Sequence, residues 1–317
     1  MRLPLVSICI PTYNRPDFLL KALDSCFKQT YKNYEIVITD NSSDNRTKQA
    51  ILALKNNKIR YYKNSHNIGS FKNLQKTASL AKGKYIKFLL DDDLLHPECL
   101  KRMVSVMENY PSVGVVMAPL DIVDSQGNKT KPIFYLVRKM PYLYKYLNRD
   151  TLVKKEKILD DFLTKVYPCC VPTGIMFRKK TFDDIGGFDE NFQYITDLEI
   201  CMRFAKHCDF YYIDQFLSSW RYTSSSETIA IVHQKGIELN IFYRLLKKYR
   251  PEQKIIKQSY FFASKRTSLN TLAGIKSFNL KLVIDSMMTI WKNDPYFSNK
   301  IKLPFSILWE ILKSLAK

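Results

Sequence analysis

Apolar positions in the first third of the chain switch between two periods. Leu5 to Ile10 is a short β-rich run, and Pro16 to Gln29 then places Phe18, Leu19, Leu23 and Phe27 on one helical stripe. The alternation repeats. Tyr34 to Thr39 predicts a strand, Asn41-Ser42-Ser43-Asp44 a loop and Thr47 to Lys55 a helix. Ile59 to Lys63 predicts a short strand, Gly69 to Ala81 a helix stopped by Lys82-Gly83, and Tyr85 to Leu90 a further strand. Strands and helices in this order predict an α/β fold, a mostly parallel sheet covered on both faces. Ligands of such sheets gather beyond the carboxyl ends of the strands. Asp40 and the run Asp91-Asp92-Asp93 both fall at such ends.

From Val113 the pattern changes. Val113 to Ala118 predicts a strand and Asp124 to Asn128 a turn. Lys129 to Lys157 is basic and aromatic without clear periodicity, which suits either a surface insertion packed by its own aromatics or a lip that binds an acceptor. Thr173 to Arg178, Phe210 to Asp214 and Leu217 to Tyr222 predict strands, and Asp197 to Lys206 a helix. After Val232 the strand signals stop and the chain becomes helical. The expected organisation is one α/β domain over residues 1–230, its nucleotide-binding half ending near 120 and its acceptor half spanning 121–230, followed by a basic helical extension over 231–317.

Composition adds a partner class. The chain has 317 residues, 46% of them apolar, which is ample for a core, and a formal charge of +20. That excess favours an anionic partner: a nucleotide, a nucleic acid or the inner leaflet of a membrane. After Val232 there are 16 Lys and Arg against 5 Asp and Glu, more than half of the excess. The last helix candidate puts Phe305, Leu308, Trp309, Leu312 and Leu315 on one stripe, which can lie in a membrane interface or pack on its own domain. No window of 18 apolar residues and no signal peptide is present, so no membrane span is predicted. The seven cysteines show no Cys-x-x-Cys spacing, and the four histidines no ligand spacing, so a reducing compartment and no zinc site are expected.

The acidic run carries the chemistry. Three adjacent carboxylates repel one another and are best tolerated around a cation. On an extended backbone Asp91 and Asp93 share a face while Asp92 points away. Hard oxygen ligands of this kind suit Mg²⁺ or Mn²⁺. The alternative is a solvated turn ahead of a helix that starts near Pro97.

Four clusters occur in a recognisable order: Val6 to Arg15 (VSICIPTYNR); Ile38 to Asp44 (ITDNSSD); Asn67-Ile68-Gly69 with Gly83 to Asp93 (GKYIKFLLDDD); and Gly186 to Glu190 (GGFDE) leading to Thr196-Asp197. Together, over roughly Leu5 to Ser226, they resemble the family 2 glycosyltransferases of the GT-A fold. The resemblance implies an inverting transfer of a sugar from a nucleoside diphosphate donor, with UDP the expected nucleotide. It implies a glycan or lipid-linked acceptor of surface polysaccharide synthesis, reached at the cytoplasmic face of the cell membrane through the basic C-terminal helices.

The same resemblance assigns residues. Pro11, Thr12, Tyr13, Asn14 and Arg15 would floor the nucleotide site, with Tyr13 against the base, a stacking contact worth about 1–3 kcal/mol. Asp40 would accept the uracil imide proton and Asn67 would lie beside the donor. Asp93 would ligate Mn²⁺ or Mg²⁺ with Asp91 as its partner, while Asp92 contacts ribose or metal-bound water. Asp197 would be the catalytic base. Read from the residues alone, Thr196-Asp197-Leu198-Glu199 is a capping box, with an alternative Glu199 to Arg203 pair. Arg221 would grip the diphosphate from a mobile segment.

The chain departs from the pattern at Leu90, where many members carry Asp, and at Thr223, where many carry His. Two other classes compete. A nucleotidyltransferase should have a glycine-rich opening loop, and Pro11 to Pro16 has no glycine. A non-catalytic nucleic-acid-binding protein should have a basic site, and this one is acidic, so no nucleic-acid partner is expected. Donor sugar, acceptor and oligomeric state leave no mark in the motifs.

Overall fold

The computed structural model describes residues 3–130, 149–164, 172–193, 195–222 and 241–249, with isolated residues between 256 and 293. Two compact units are formed. One comprises Met1–Leu159 and Tyr167–Tyr222, the other Asp160–Val166 and Thr223–Lys317. The division therefore falls after Tyr222 rather than at 230, and the second unit also takes a short segment from the middle of the chain.

The first unit opens with β1 (Val6–Thr12), α1 (Pro16–Phe27), β2 (Tyr34–Asp40), α2 (Arg46–Ala53), β3 (Ile59–Lys63), α3 (Ser70–Ser79) and β4 (Tyr85–Phe88). Pro16 opens α1, where its missing N–H costs nothing and its fixed φ suits a helix. Next come β5 (Leu94–Leu95), α4 (Cys99–Asn109), β6 (Val113–Met117), β7 (Leu120–Val123) and β8 (Thr151–Val153). The chain continues through α5 (Lys155–Thr164), β9 (Ile175–Arg178), α6 (Lys179–Asp184), α7 (Thr196–Phe204), β10 (Asp209–Tyr212) and β11 (Ser218–Arg221).

Eight strands form the main sheet in the order β3-β2-β1-β4-β9-β6-β10-β8. The pairs among β3, β2, β1 and β4 are parallel, as is β10 with β6. The strand β9 runs antiparallel between β4 and β6, and β8 is antiparallel at the edge. The interior strands β2, β4 and β6 are buried throughout, whereas the edge strand β3 is half-buried along its whole length. A second sheet, β5-β11-β7, has three short strands.

Local chemistry explains the close spacing of β1 and β4. A Cβ at Gly83 would lie 2.6 Å from the Ser7 amide nitrogen, so only glycine lets the chain enter β4 there. The core under α1 and α4 is aliphatic, with Ile8, Ile10, Leu19, Leu23, Ile36, Leu100 and Met103 fully enclosed. Another part of the core is aromatic. Phe88, Phe177, Phe182, Phe188 and Phe204 meet ring to ring, with centroids 4.9 Å apart for Phe177 and Phe204 and 5.4 Å for Phe88 and Phe188. This locates the Gly186-Gly187-Phe188-Asp189 motif. Two left-handed glycines reverse the chain, Phe188 fills the aromatic cluster, and Asp189 accepts the Asn191 amide at 3.0 Å.

In the second unit, α8 (Ile241–Tyr249) buries Tyr243, Leu245, Leu246 and Tyr249 and exposes Lys247 and Lys248. No helix among the described residues is long and apolar enough to cross a membrane. The stripe from Phe305 to Leu315, most of the basic aromatic stretch and the pair Cys169-Cys170 lie outside the described residues. Cys9, Cys26, Cys99, Cys201 and Cys208 are free thiols.

Candidate active site

The site forms where β1, β2 and β4 end. Strand β4 stops at Phe88, two residues before the expected end, and Asp93 N–H donates to the Leu90 carbonyl at 3.0 Å. The acidic run is therefore a turn, not an extended strand end. That overturns the expectation that Asp91 and Asp93 share a face, because the alternation rule holds only for extended backbone.

The turn sorts the three carboxylates. Asp91 faces the end of β1: its Oδ2 accepts from Thr12 Oγ1 at 2.7 Å and from Tyr13 N–H at 3.4 Å. Asp92 accepts from Arg15 Nη1 at 2.9 Å, and the same nitrogen is 3.7 Å from Asp91 Oδ1. Asp93 is wholly enclosed. Its Oδ1 accepts from the Arg221 amide at 2.9 Å and its Oδ2 from Thr173 Oγ1 at 2.5 Å. With both oxygens turned inward, Asp93 is placed as a structural carboxylate, and Asp91 with Asp92 takes the open side. Burial, reinforced by the charge of Asp92, pushes Asp91 up to about 7. The same two causes push Asp93 well above the usual carboxylate range, and burial raises Asp92.

Three further assignments change. Arg221 belongs to β11 and is 1% exposed. Its Nε donates to the Asp92 carbonyl at 2.6 Å, and Nη1 to the carbonyls of Asp124 and Ser125 at 2.8 and 3.0 Å. The guanidinium also lies over the Phe18 ring, 5.3 Å from its centroid. These donors tie the acidic turn to the turn after β7. Asp40 is fully buried, with Oδ1 accepting the Ser42 amide at 2.7 Å and Oδ2 the Tyr61 hydroxyl at 2.6 Å. It makes an Asx-type turn and has no oxygen turned to a base edge.

The capping box at Thr196 does not form. The helix cap is Ile195, Thr196 Oγ1 donates to the Gln193 carbonyl, and Glu199 pairs with Arg203 at 2.8 Å. Asp197 sits half-buried in the first turn and accepts its neighbour Leu198 N–H at 2.9 Å.

The remaining predicted residues line the same end of the sheet. Pro11 lies in β1 beyond the last residue paired to β4, where its missing N–H breaks no ladder with that strand. Tyr13 presents an exposed ring, 47% accessible. Asn14, with φ 54°, receives the Ser43 amide and donates its own to Ser42 Oγ, joining the loops after β1 and β2. Asn67 is exposed and accepts the Gly69 amide at 2.9 Å.

Sequence reasoning missed several residues. Thr173 donates to Asp93, accepts the Leu90 amide, and through its carbonyl receives Lys87 Nζ and Ser218 Oγ. Lys87 is fully buried in β4 beneath the turn. His96 lies 3.0 Å from Ser219 Oγ and 3.4 Å from the Asp121 carboxylate, which also meets Lys129 at 3.1 Å. A lone Thr ahead of an apolar strand gives no periodic signal. A Lys within Tyr85-Ile86-Lys87-Phe88 is the one visible irregularity.

A family model described as Glycosyl transferase family 2 matches residues 7–186. An uncharacterized glycosyltransferase of Rickettsia prowazekii is 25% identical over 291 residues, covering 90% of this chain and 86% of that protein. Another, of Methanocaldococcus jannaschii, is 25% identical over 290 residues, covering 89% and 93%. Among solved structures, S. aureus TarS 1–349 in complex with UDP-GlcNAc superposes with a TM-score of 0.57 at 16% identity, covering 91% of this chain and 90% of that one. The mannosyltransferase PcManGT of Pyrobaculum calidifontis, with GDP-Man and Mn²⁺, gives 0.58 at 15% identity over 100% of this chain and 81% of that one. With more than half of its length matched by the family model and the fold shared with these structures, the chain belongs to glycosyl transferase family 2 and is a glycosyltransferase of the GT-A fold.

Proposed function

We propose that the chain transfers a sugar, with inversion, from a nucleoside diphosphate donor to a hydroxyl acceptor. The observation that carries this is the turn Leu90 to Asp93, which brings the carboxylates of Asp91 and Asp92, with Arg15, to the carboxyl ends of the parallel strands. Donor and acceptor classes follow from what surrounds it. The exposed face of Tyr13 is a stacking platform for a base, beside Asn14, Asn67 and the loops after β2 and β3. Asp40 holds the shape of that floor.

The residues fit a divalent cation. Asp91 and Asp92 supply hard oxygens side by side at the strand ends, and burial raises both carboxyls. No group of three or more metal-ligating side chains occurs among the described residues. Two carboxylates, with donor phosphates completing the shell, is a common Mg²⁺ or Mn²⁺ arrangement. We assign the cation to Asp92 and Asp91. When bound, it supplies charge neutralisation for a departing diphosphate.

The chain's own residues do the rest. Asp197, held in the first turn of α7, takes the proton from the acceptor hydroxyl. The acceptor oxygen forms its bond to the anomeric carbon as the bond to the diphosphate breaks on the opposite face. Arg221 and Thr173 keep the acidic turn in place. Neither a triphosphate-binding glycine loop nor a basic site favours the competing classes.

The acceptor we propose is a glycan on a lipid carrier, met at the inner face of the cell membrane. The basic excess beyond Val232 supports it. Co-sedimentation of the full chain with vesicles containing anionic lipid, lost in high salt, tests that placement.

The enzymatic test is release of nucleoside diphosphate from UDP- and GDP-sugars, each with Mn²⁺ and a panel of glycan acceptors. Turnover with one donor is expected. Asp197→Asn should keep donor affinity and lose transfer by at least a hundredfold. No donor binding in any combination overturns the reading, and normal transfer by Asp197→Asn removes the base.

A further inference from the structure

The Arg15 guanidinium sits on the carboxylates that the cation reading needs. One nitrogen reaches both, at 2.9 Å from Asp92 and 3.7 Å from Asp91. The two carboxylates are 11% and 10% exposed, whereas the Arg15 side chain is 30% exposed. Arg15 lies in the short turn between β1 and α1, flanked by Asn14 at φ 54° and by Pro16, which opens the helix. Its charged end is therefore at the open side of the site, on a segment outside any strand or helix.

We propose that Arg15 is a built-in counter-ion for Asp91 and Asp92, displaced when a divalent cation binds, and that this exchange makes cation binding depend on the donor's diphosphate. The proposal rests on the cation site assigned above. With both carboxylates ionised, they and the guanidinium together carry a single net negative charge. Adding a divalent cation alone reverses the sign and sets two cations against each other in a partly enclosed site. A diphosphate restores the balance, because it accepts the cation on its oxygens and offers the released guanidinium a forked pair of acceptors. Arg15 thus opposes the cation when it arrives alone and supports it when the nucleotide is present. Linkage requires the converse: the cation tightens the nucleotide by the same factor.

The test is a titration of the full chain with Mn²⁺, read by the electron paramagnetic resonance of the free ion, with and without UDP or GDP. Wild type is expected to bind Mn²⁺ weakly alone and on the order of tenfold more tightly with the matching nucleotide. Arg15→Met is expected to bind Mn²⁺ alone on the order of tenfold more tightly than wild type, and to lose most of the nucleotide's enhancement. Arg15→Lys, which keeps the charge, should retain the wild-type pattern, and circular dichroism should show the same fold for all three. Arg15→Met binding Mn²⁺ no more tightly than wild type in the absence of nucleotide overturns the proposal alone. Absence of Mn²⁺ binding in every protein, with either nucleotide, overturns the cation site and the proposal together. Nucleotide binding measured without metal still tests the donor reading separately.

Discussion

Thr173→Val isolates the contact that holds the acidic turn from beneath. Valine keeps the volume of threonine and removes one hydroxyl, so no cavity opens and the change is confined to hydrogen bonding. That hydroxyl donates to Asp93 Oδ2 at 2.5 Å and accepts the Leu90 amide at 3.3 Å. Asp93 is 0% exposed, so water cannot replace the lost donor. Leaving a buried acceptor without its donor costs about 1–3 kcal/mol, and the Leu90 amide loses its acceptor as well, which gives about 2–3 kcal/mol here. For a folded unit of this size each kcal/mol shifts Tm by roughly 2–4 °C, so Thr173→Val should melt roughly 5–10 °C below wild type. Thr173→Ser keeps the hydroxyl, loses one methyl, and should fall by less than half as much. Differential scanning fluorimetry of the three proteins in chelator checks the values. A Val variant within about 1 °C of wild type would refute the idea that this hydroxyl secures the turn; equal losses for Ser and Val would assign the effect to packing.

Two further outcomes separate roles that residue type alone confuses. Arg221→Lys loses the planar fork that spans the carbonyls of Asp92, Asp124 and Ser125, and should lower stability by about 2–4 kcal/mol with a matching drop in Tm. A phosphate-gripping arginine would instead show an unchanged Tm and a raised donor KM. Asp91, pushed up to about 7 by burial and by Asp92, sets a pH dependence in chelator. Its folded pKa exceeds its unfolded value of about 3.9, so between about pH 4 and 7 the folded chain binds more protons than the unfolded one, and stability falls as pH rises through that window. Asp91→Asn should flatten this slope in thermal melts from pH 4 to 8, and parallel curves for the two proteins would show that Asp91 does not cause it.

How far the sequence reveals this molecule depends on whether a signal is local. The β1 to β4 half is legible because the apolar period switches between strand and helix within a few residues. Ile59 to Lys63 is found with its bounds intact and Tyr34 to Thr39 one residue short. In the second half the elements themselves are also found within one or two residues, as at Val113 to Ala118 and Leu217 to Tyr222, but their order in the sheet is not, because β9 enters antiparallel between β4 and β6 by pairings across about 90 and about 60 positions that leave no local trace. The site follows the same division. Carboxylates in a row announce themselves, but their directions depend on the turn closed from Asp93 to Leu90 and on distant partners such as Thr12, Thr173 and Arg221. Arg221 and Asp40 stand where a ligand-binding role was expected, yet their partners are largely main-chain groups of other segments, and a sequence does not display where its own carbonyls and amides will be free. Thr173 is the clearest instance. Nothing in Pro172-Thr173-Gly174 signals a site, and it matters only because the fold brings it to a buried carboxylate 80 residues earlier in the chain. A residue type shows what chemistry is available; whether a substrate meets it is decided by which of its atoms the protein has already used. At this site Asp93, Asp40 and Arg221 are enclosed at 0–1% exposure by contacts within the protein, whereas Asp91, Asp92 and Arg15 keep part of their side chains accessible at the end of the sheet.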